Sequence, residues 1–276
     1  VFLVTGATGN VGGEVVRALI EADAEVRALT RGPRPPDLPS EAEAVTGDLD
    51  RPETLSGALA GARGVFLLPG YRDMPGVLAA IRTAGVEHVV LLSGSSAASG
   101  DTSNAVSAYM IASEAAVRAS EVPWTILRPY GLMSNTLRWL AQLRAGDVVR
   151  EPFANVPVAM IDPYDIAAVA TRALRFEGHA EEVHVLSGPE PILPAERLLI
   201  LGKSLGRELH LDAQSNDDAR VQMSNEMPQG YVDAFFDFYV DGALDESQPL
   251  PTVQEIIGRR PRSFEQWATA HAEAFR

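Results

Sequence analysis

The hydrophobic and polar positions along this chain switch period repeatedly between strand and helix. Val1 to Val4 form an apolar run short enough for a buried strand, followed by the turn Thr5-Gly6-Ala7-Thr8-Gly9-Asn10-Val11-Gly12. From there Val11, Val15, Ala18, Leu19 and Ala22 mark one helical face. The alternation continues with strands at Glu25–Leu29, Glu43–Thr46, Gly64–Leu68, Glu87–Leu92 and Trp124–Arg128. Helices are predicted from Pro52 through Leu59, over Pro75–Ala84 and over Asn104–Ser120. Strands alternating with helices predict an α/β fold, a Rossmann-type doubly wound parallel sheet with helices on both faces.

Beyond Pro129 the pattern loosens. Met133–Ala145, Tyr164–Leu174 and Pro194–Leu205 read as helices. Val148–Val149, Val156–Met160, Glu182–Leu186 and Glu208–Leu211 read as extended pieces. The remainder reads as mostly helical, with the aromatic cluster Tyr231, Phe235, Phe236, Phe238 and Tyr239. The expected division is a Rossmann-type core over 1–150. A small, mainly helical C-terminal part over 151–276 would complete the sheet in places and cap the core.

The glycine turn carries the first chemical signal. Glycines at three-residue spacing between a strand and a helix let the backbone approach a pyrophosphate, and the first helical turn offers unpaired N–H groups to it. Ligands on such sheets lie beyond the carboxyl ends of the strands. That rule gathers Gly6–Gly12, Thr30–Arg31, Asp48–Leu49, Leu67–Gly70 and Ser93–Ser96 along one rim. An NAD-preferring site carries an acid roughly twenty residues past the glycines, to hold the ribose hydroxyls. Here Thr30 and Arg31 stand there, and an arginine suits a 2′-phosphate, so the cofactor expected is NADP(H).

Composition narrows the partners. Hydrophobic residues make up 46% and charged ones 22%, an ordinary globular balance. The net charge is −14, with acids spread along the chain, which disfavours nucleic acid and anionic membrane. There is no cysteine, so thiolate catalysis is excluded; His179, His184, His210 and His271 have no metal-ligand spacing with one another, and His88 reads as a strand-edge residue. No metal is expected. The apolar start is too short and glycine-broken for a signal peptide, and a cytoplasmic location is expected. The partners expected are a small-molecule substrate and, at most, a second copy of the chain in a homodimer.

TGATGNVG, Gly47-Asp48-Leu49, the helix holding Glu114, Trp124-Thr125-Ile126-Leu127-Arg128-Pro129, and Val156-Pro157 with Ile161-Asp162-Pro163-Tyr164-Asp165-Ile166-Ala167 appear in this order. Leu186-Ser187-Gly188-Pro189 and the terminal Gly258–Phe264 complete the series. The chain resembles the NmrA-like proteins, atypical members of the short-chain dehydrogenase/reductase superfamily, from end to end, which implies an NAD(P)-binding Rossmann domain with a small C-terminal part covering the substrate cleft. That family includes NADPH-dependent quinone, azo-dye and triphenylmethane dye reductases, and regulators that bind the dinucleotide without turning it over. By position, the resemblance implies that Gly6, Thr8, Gly9, Asn10, Val11 and Gly12 hold the pyrophosphate and Arg31 the 2′-phosphate. It places Asp48 and Leu49 beside the adenine, Leu67, Leu68 and Pro69 along the ribose and nicotinamide, and Ser93 near the nicotinamide.

The catalytic residues are less regular. The wider superfamily pairs a tyrosine with a lysine one helical turn later, the lysine lowering the tyrosine pKa. Tyr109 invites the tyrosine role, but the lysine position then holds Ser113. Registered on Glu114 instead, the lysine slot falls on Met110 and the tyrosine slot on Val106. Ser93 and Tyr109 are the candidate catalytic residues. Ser93, Ser95 and Ser96 either polarise a carbonyl or only cap the approach to the Asn104 helix and their own loop. Tyr71, Tyr130 and Met133 are expected to wall the substrate pocket, as Trp139 and Phe153 could, although such residues are often plain core. The expected reaction is hydride transfer from NADPH to a quinone-like or other conjugated carbonyl compound. The alternative is a regulator that senses NADP and binds a protein partner.

Overall fold

The computed structural model of the protein describes residues 1–276. Nine strands form: β1 (Phe2–Val4), β2 (Val26–Thr30), β3 (Glu43–Thr46), β4 (Gly64–Leu67), β5 (His88–Leu92), β6 (Trp124–Pro129), β7 (Val148–Glu151), β8 (Glu182–Leu186) and β9 (His210–Ala213). The helices of the first half are α1 (Asn10–Glu21), α2 (Ser56–Leu59), α3 (Met74–Thr83) and α4 (Ala105–Arg118). Then come α5 (Leu140–Ala145), α6 (Pro163–Arg175), α7 (Pro194–Leu205), α8 (Asn216–Glu226), α9 (Gln229–Tyr239), α10 (Thr252–Ile257) and α11 (Phe264–His271). No helix is long and apolar enough to cross a membrane.

Seven strands make one sheet in the order β3-β2-β1-β4-β5-β6-β8, with every pairing parallel. The chain steps outward from β1 through β2 to β3, then returns to place β4 on the other side of β1. The strand order therefore reverses at β1, which is where such a sheet opens a crevice for a ligand.

Strand periodicity explains the two layers. Phe2, Val4, Phe66, Val90 and Leu127 point to a core shared with α1 and α6, which lie against each other. Their alternates Leu3, Val65, Leu67, Val89, Leu91 and Ile126 point to a second core under α3. Burial on both faces is why these strands read as continuous apolar runs. Because α6 packs on α1 and β8 pairs with β6, residues 163–186 return to the core from beyond residue 150.

A third apolar cluster, including Met133, Trp139, Met160, Leu198, Leu201 and Trp267, holds the C-terminal part together. A small fourth one joins α8 to α9. The parallel pair β7–β9 forms a separate sheet there.

Val156–Met160 joins no sheet, though Val158 makes an isolated bridge to Ile192. Two local readings need correction. The helix expected from Pro52 divides into a 3₁₀ turn, Pro52–Thr54, and α2. Met133–Trp139 is likewise 3₁₀ before α5 begins, because Ser134, Asn135 and Thr136 are poor helix formers.

Candidate functional site

The glycine turn occupies the switch point. Gly6 has φ +60, a conformation that L side chains rarely adopt, and the Gly9 N–H donates to its carbonyl at 2.8 Å. A Cβ on Gly12 would lie 2.2 Å from that same carbonyl oxygen, so α1 can start this close to β1 only with glycine there. Gly9 caps α1 without a side chain, and the N–H groups of Asn10, Val11 and Gly12 have no acceptor. Thr8, Gly9 and Asn10 are exposed while Val11 is buried beneath them. Unpaired donors at a helix start, reached across open glycine backbone, fit a pyrophosphate.

The remaining rim residues fall into groups. Arg31 is exposed just past β2, and its guanidinium makes no hydrogen bond or ion pair within the protein. Thr30 Oγ1 donates to the Gly32 carbonyl at 2.8 Å and fixes the start of that loop. Asp48 accepts from the Asp50 N–H at 3.0 Å and from Arg51 Nε at 3.2 Å, and these bonds hold its carboxyl below the usual range. Leu68 and Pro69 are half-buried at the end of β4, with the Leu68 N–H bonded to Thr5 Oγ1 at 3.0 Å. Leu67 and Leu49 instead turn into the core under α3, so only their backbones remain on the rim.

Beside β5 stands a buried ionic cluster. Glu114 on α4 is 3% exposed and accepts Arg128 Nε at 2.8 Å, Arg128 Nη2 at 2.7 Å and Arg118 Nη2 at 3.0 Å. Ser93 Oγ donates to it at 2.7 Å. Burial pushes the Glu114 carboxyl up, but the bonds from Arg128, Ser93 and Arg118 outweigh it and leave it below its ordinary value. Ser95 donates to a second buried carboxylate, Glu246, which also accepts the Gly131 N–H at 3.2 Å. The hydroxyl protons of Ser93 and Ser95 are thus committed to carboxylates, and neither is free to polarise a carbonyl in this arrangement. Nor do they cap α4: Asn104 does so, accepting from the Val106 and Ser107 N–H groups.

The two registers of α4 resolve into different neighbours. Met110 packs on the end of β5, its sulfur 3.8 Å from Ser93 Oγ. The Tyr109 ring lies over Gly70, 3.2 Å from where a Cβ would stand, at the end of β4. Ser113 Oγ, in the lysine position of the Tyr109 register, accepts the Gly70 N–H at 2.9 Å and donates to the Tyr109 carbonyl. Burial, with Tyr231 nearby, pushes the Tyr109 phenol up, opposite to what a neighbouring lysine would do.

Next to the rim lies a cavity of about 760 Å³, bounded by Asn10 of the glycine turn, Gly131 after β6, the segment around Arg138 and Phe153, and helices α7 to α9. Its size suits a small organic molecule. The residues expected to wall a pocket disperse. Met133 is core, Tyr71 packs beside the core under α3, and Tyr130 sits near Glu246; none of the three lines this cavity. Trp139 is core as well, whereas Phe153, Phe235 and Tyr239 do line it. The cavity residues missed in the sequence are Arg138, Glu151 and Arg197. Arg197 shares a helical face with Leu201, and a charge on an apolar face was the available signal.

A family model described as NAD(P)H-binding matches residues 6–177. A (4-alkanoyl-5-oxo-2,5-dihydrofuran-3-yl)methyl phosphate reductase of Streptomyces griseus is 40% identical, over 99% of this chain and 98% of its own. An NAD(P)H azoreductase of Xenophilus azovorans is 34% identical, over 99% of this chain and 98% of its own. Among solved structures, the Citrobacter triphenylmethane reductase complexed with NADP(H) superposes with a TM-score of 0.78. It is 23% identical, and the match covers 98% of this chain and 99% of that one.

Proposed function

The chain belongs to the NAD(P)H-binding family, and from that premise we propose that it reduces a conjugated carbonyl compound, quinone-like or enone-like, with NADPH. The resemblance to NmrA-like reductases is borne out by relatives named as reductases along nearly their whole length. The chain is accordingly an NAD(P)H-dependent oxidoreductase. The observation that carries the substrate reading is the absence of a Tyr–Lys pair on α4 beside an otherwise fitting dinucleotide rim.

When bound, NADPH supplies a hydride. The Asn10–Gly12 amides would hold its pyrophosphate, and Leu68 and Pro69 would border the ribose and nicotinamide. Ser93, locked to Glu114, would form part of the nicotinamide wall. A quinone accepts hydride readily and takes its proton from solvent or a weak donor, so positioning can supply most of the catalysis. A panel of quinones, enones, aldehydes and azo dyes, followed by NADPH absorbance, tests this reading. Turnover of none of them, with NADPH binding intact, would favour a dinucleotide sensor instead.

Two substitutions separate the roles. Arg31→Ala should weaken NADPH binding by about 1–3 kcal/mol and leave NADH nearly unchanged, because only NADPH offers a 2′-phosphate. Equal losses for both cofactors, measured by calorimetry, would reduce Arg31 to a general-field residue. Tyr109→Phe should retain most of kcat, since the phenol lies over Gly70 and lacks a lysine partner. A general acid contributes about 10²–10⁴-fold, so a hundredfold fall in kcat with unchanged NADPH affinity would restore Tyr109 as the proton donor.

A further inference from the structure

The cavity gathers arginines within a chain that is strongly acidic overall. The chain carries −14 overall, yet Arg138, Arg150 and Arg197 line this space against Glu151 and Glu226. Arg150 is paired with Asp212 at 3.1 Å. Arg138 and Arg197 share one buried carboxylate, Glu151, which also accepts the Trp139 Nε1–H at 2.8 Å. Two guanidinium groups thus share a single carboxylate, since Glu226 pairs with neither.

Arg197 is the less satisfied of the two. It is 6% exposed, and its guanidinium makes a single hydrogen bond, to Glu151 at a long 3.4 Å. Its Nε is fully buried without an acceptor. The guanidinium carbon stands 5.0 Å from the Trp139 ring centroid, so the cation has an apolar backing on one side. Burial, only partly offset by Glu151, lowers its pKa to about 10, which still leaves it charged at neutral pH. A buried cation with unused donors is costly unless an acceptor reaches it. Arginine's planar fork is suited to carboxylate and phosphate oxygens.

We propose that this cavity is an oxyanion subsite, in which Arg197, assisted by Arg138, anchors a carboxylate or phosphate carried on a side arm of the reducible substrate. The inference rests on the reductase reading for its site but not for its observations. Because the cavity also reaches Asn10 and Gly131 on the rim, an anchored arm leaves the conjugated ring free to extend toward the dinucleotide. The anchor then acts chiefly on KM, because its contacts are made equally before and during hydride transfer.

The test uses the full-length protein, NADPH and matched benzoquinones. One pair carries a propanoate arm or its methyl ester; the other carries a phosphomethyl or a hydroxymethyl arm. The wild type should show a KM at least about tenfold lower for an anionic member than for its neutral partner, with kcat little changed. Comparing the two pairs tells whether carboxylate or phosphate is the better ligand. In Arg197→Met the ratio of the two KM values should collapse to within about twofold, while Arg197→Lys should keep part of it. Equal KM values in the wild type, or a ratio preserved in Arg197→Met because both values rise together, would overturn the subsite. Should Arg197→Met fail to fold, Arg138→Gln replaces a half-exposed side chain and must shrink the ratio for the proposal to stand. If no quinone is reduced, the reductase reading fails for that class, and calorimetry on the complex with NADP⁺ decides the subsite separately. Preferential binding of the anionic members supports it, and equal or absent binding sinks it.

Discussion

Glu114→Ala is expected to destabilise the fold by about 3–5 kcal/mol, because it strands the cations gathered around one buried carboxylate. Glu114 takes both arms of Arg128 and one of Arg118, and all three side chains are set by α4 lying along β6. Arg128 is 17% exposed and keeps some water, so the lower end of that range is expected. Glu114→Gln preserves the shape but not the charge and should cost less, about 1.5–3 kcal/mol, the worth of hydrogen bonds to charged groups. Urea unfolding followed by fluorescence measures both, and a loss under 1 kcal/mol for the alanine variant would show that the arginines find other partners.

The same carboxylate gives a pH signature. Its pKa is lowered on folding from an ordinary 4.5, so the folded state releases this proton more readily than the unfolded one. Its stabilisation is therefore complete above the unfolded value and is lost as pH falls below that value through the folded one. Glu246 behaves oppositely: burial raises its pKa, so protonation on mild acidification favours the folded state. Stability should hold through the mildly acidic range and fall below about 4.5, where the unfolded chain takes up a proton that folded Glu114 still resists. In Glu114→Gln that acid limb should flatten.

What is legible in the sequence depends on the range of each interaction. The glycine turn and its helix were legible because a strand end, three glycines and a helical face lie within a dozen residues of one another. The rim followed from alternation alone, since parallel strands bring all their carboxyl ends to one side. Side-chain direction was not legible at that level. Leu67 and Leu68 are neighbours on one strand end, yet the pleat sends Leu67 into the core and leaves Leu68 near Gly6. Tyr71, Tyr130 and Met133 fall outside the cavity for the same reason: following a strand fixes where a residue starts, not which space it fills. Glu246 reaches Ser95 across an interval that no periodicity spans. The Arg138–Glu151–Arg197 group is assembled from a 3₁₀ turn, a two-stranded sheet and a helix, so only the misplaced charge at Arg197 could have announced it.

Gly9→Val should abolish dinucleotide binding while leaving the fold in place. Gly9 sits at φ −88, ψ 173, extended backbone that valine favours, so no strain opposes the substitution. A Cβ there meets only the Gly6 carbonyl oxygen, at 3.3 Å, a contact that a small shift relieves. Gly12 differs in both respects: its Cβ would lie 2.2 Å from backbone, and substituting it would spoil the turn and the binding together. Gly9 therefore isolates the ligand's requirement from the protein's. Two methyl groups on its Cβ would stand before the free N–H groups of Asn10, Val11 and Gly12, where a pyrophosphate must come to accept from them. Losing those charge-assisted bonds should weaken NADPH by at least about a hundredfold, roughly 2.8 kcal/mol. The melting temperature without ligand should move by only a few degrees, as expected for an exposed site outside the core. Calorimetric titration alongside thermal unfolding reads the two effects separately. An unchanged Kd would place the dinucleotide away from the glycine turn and remove the rim from the active site.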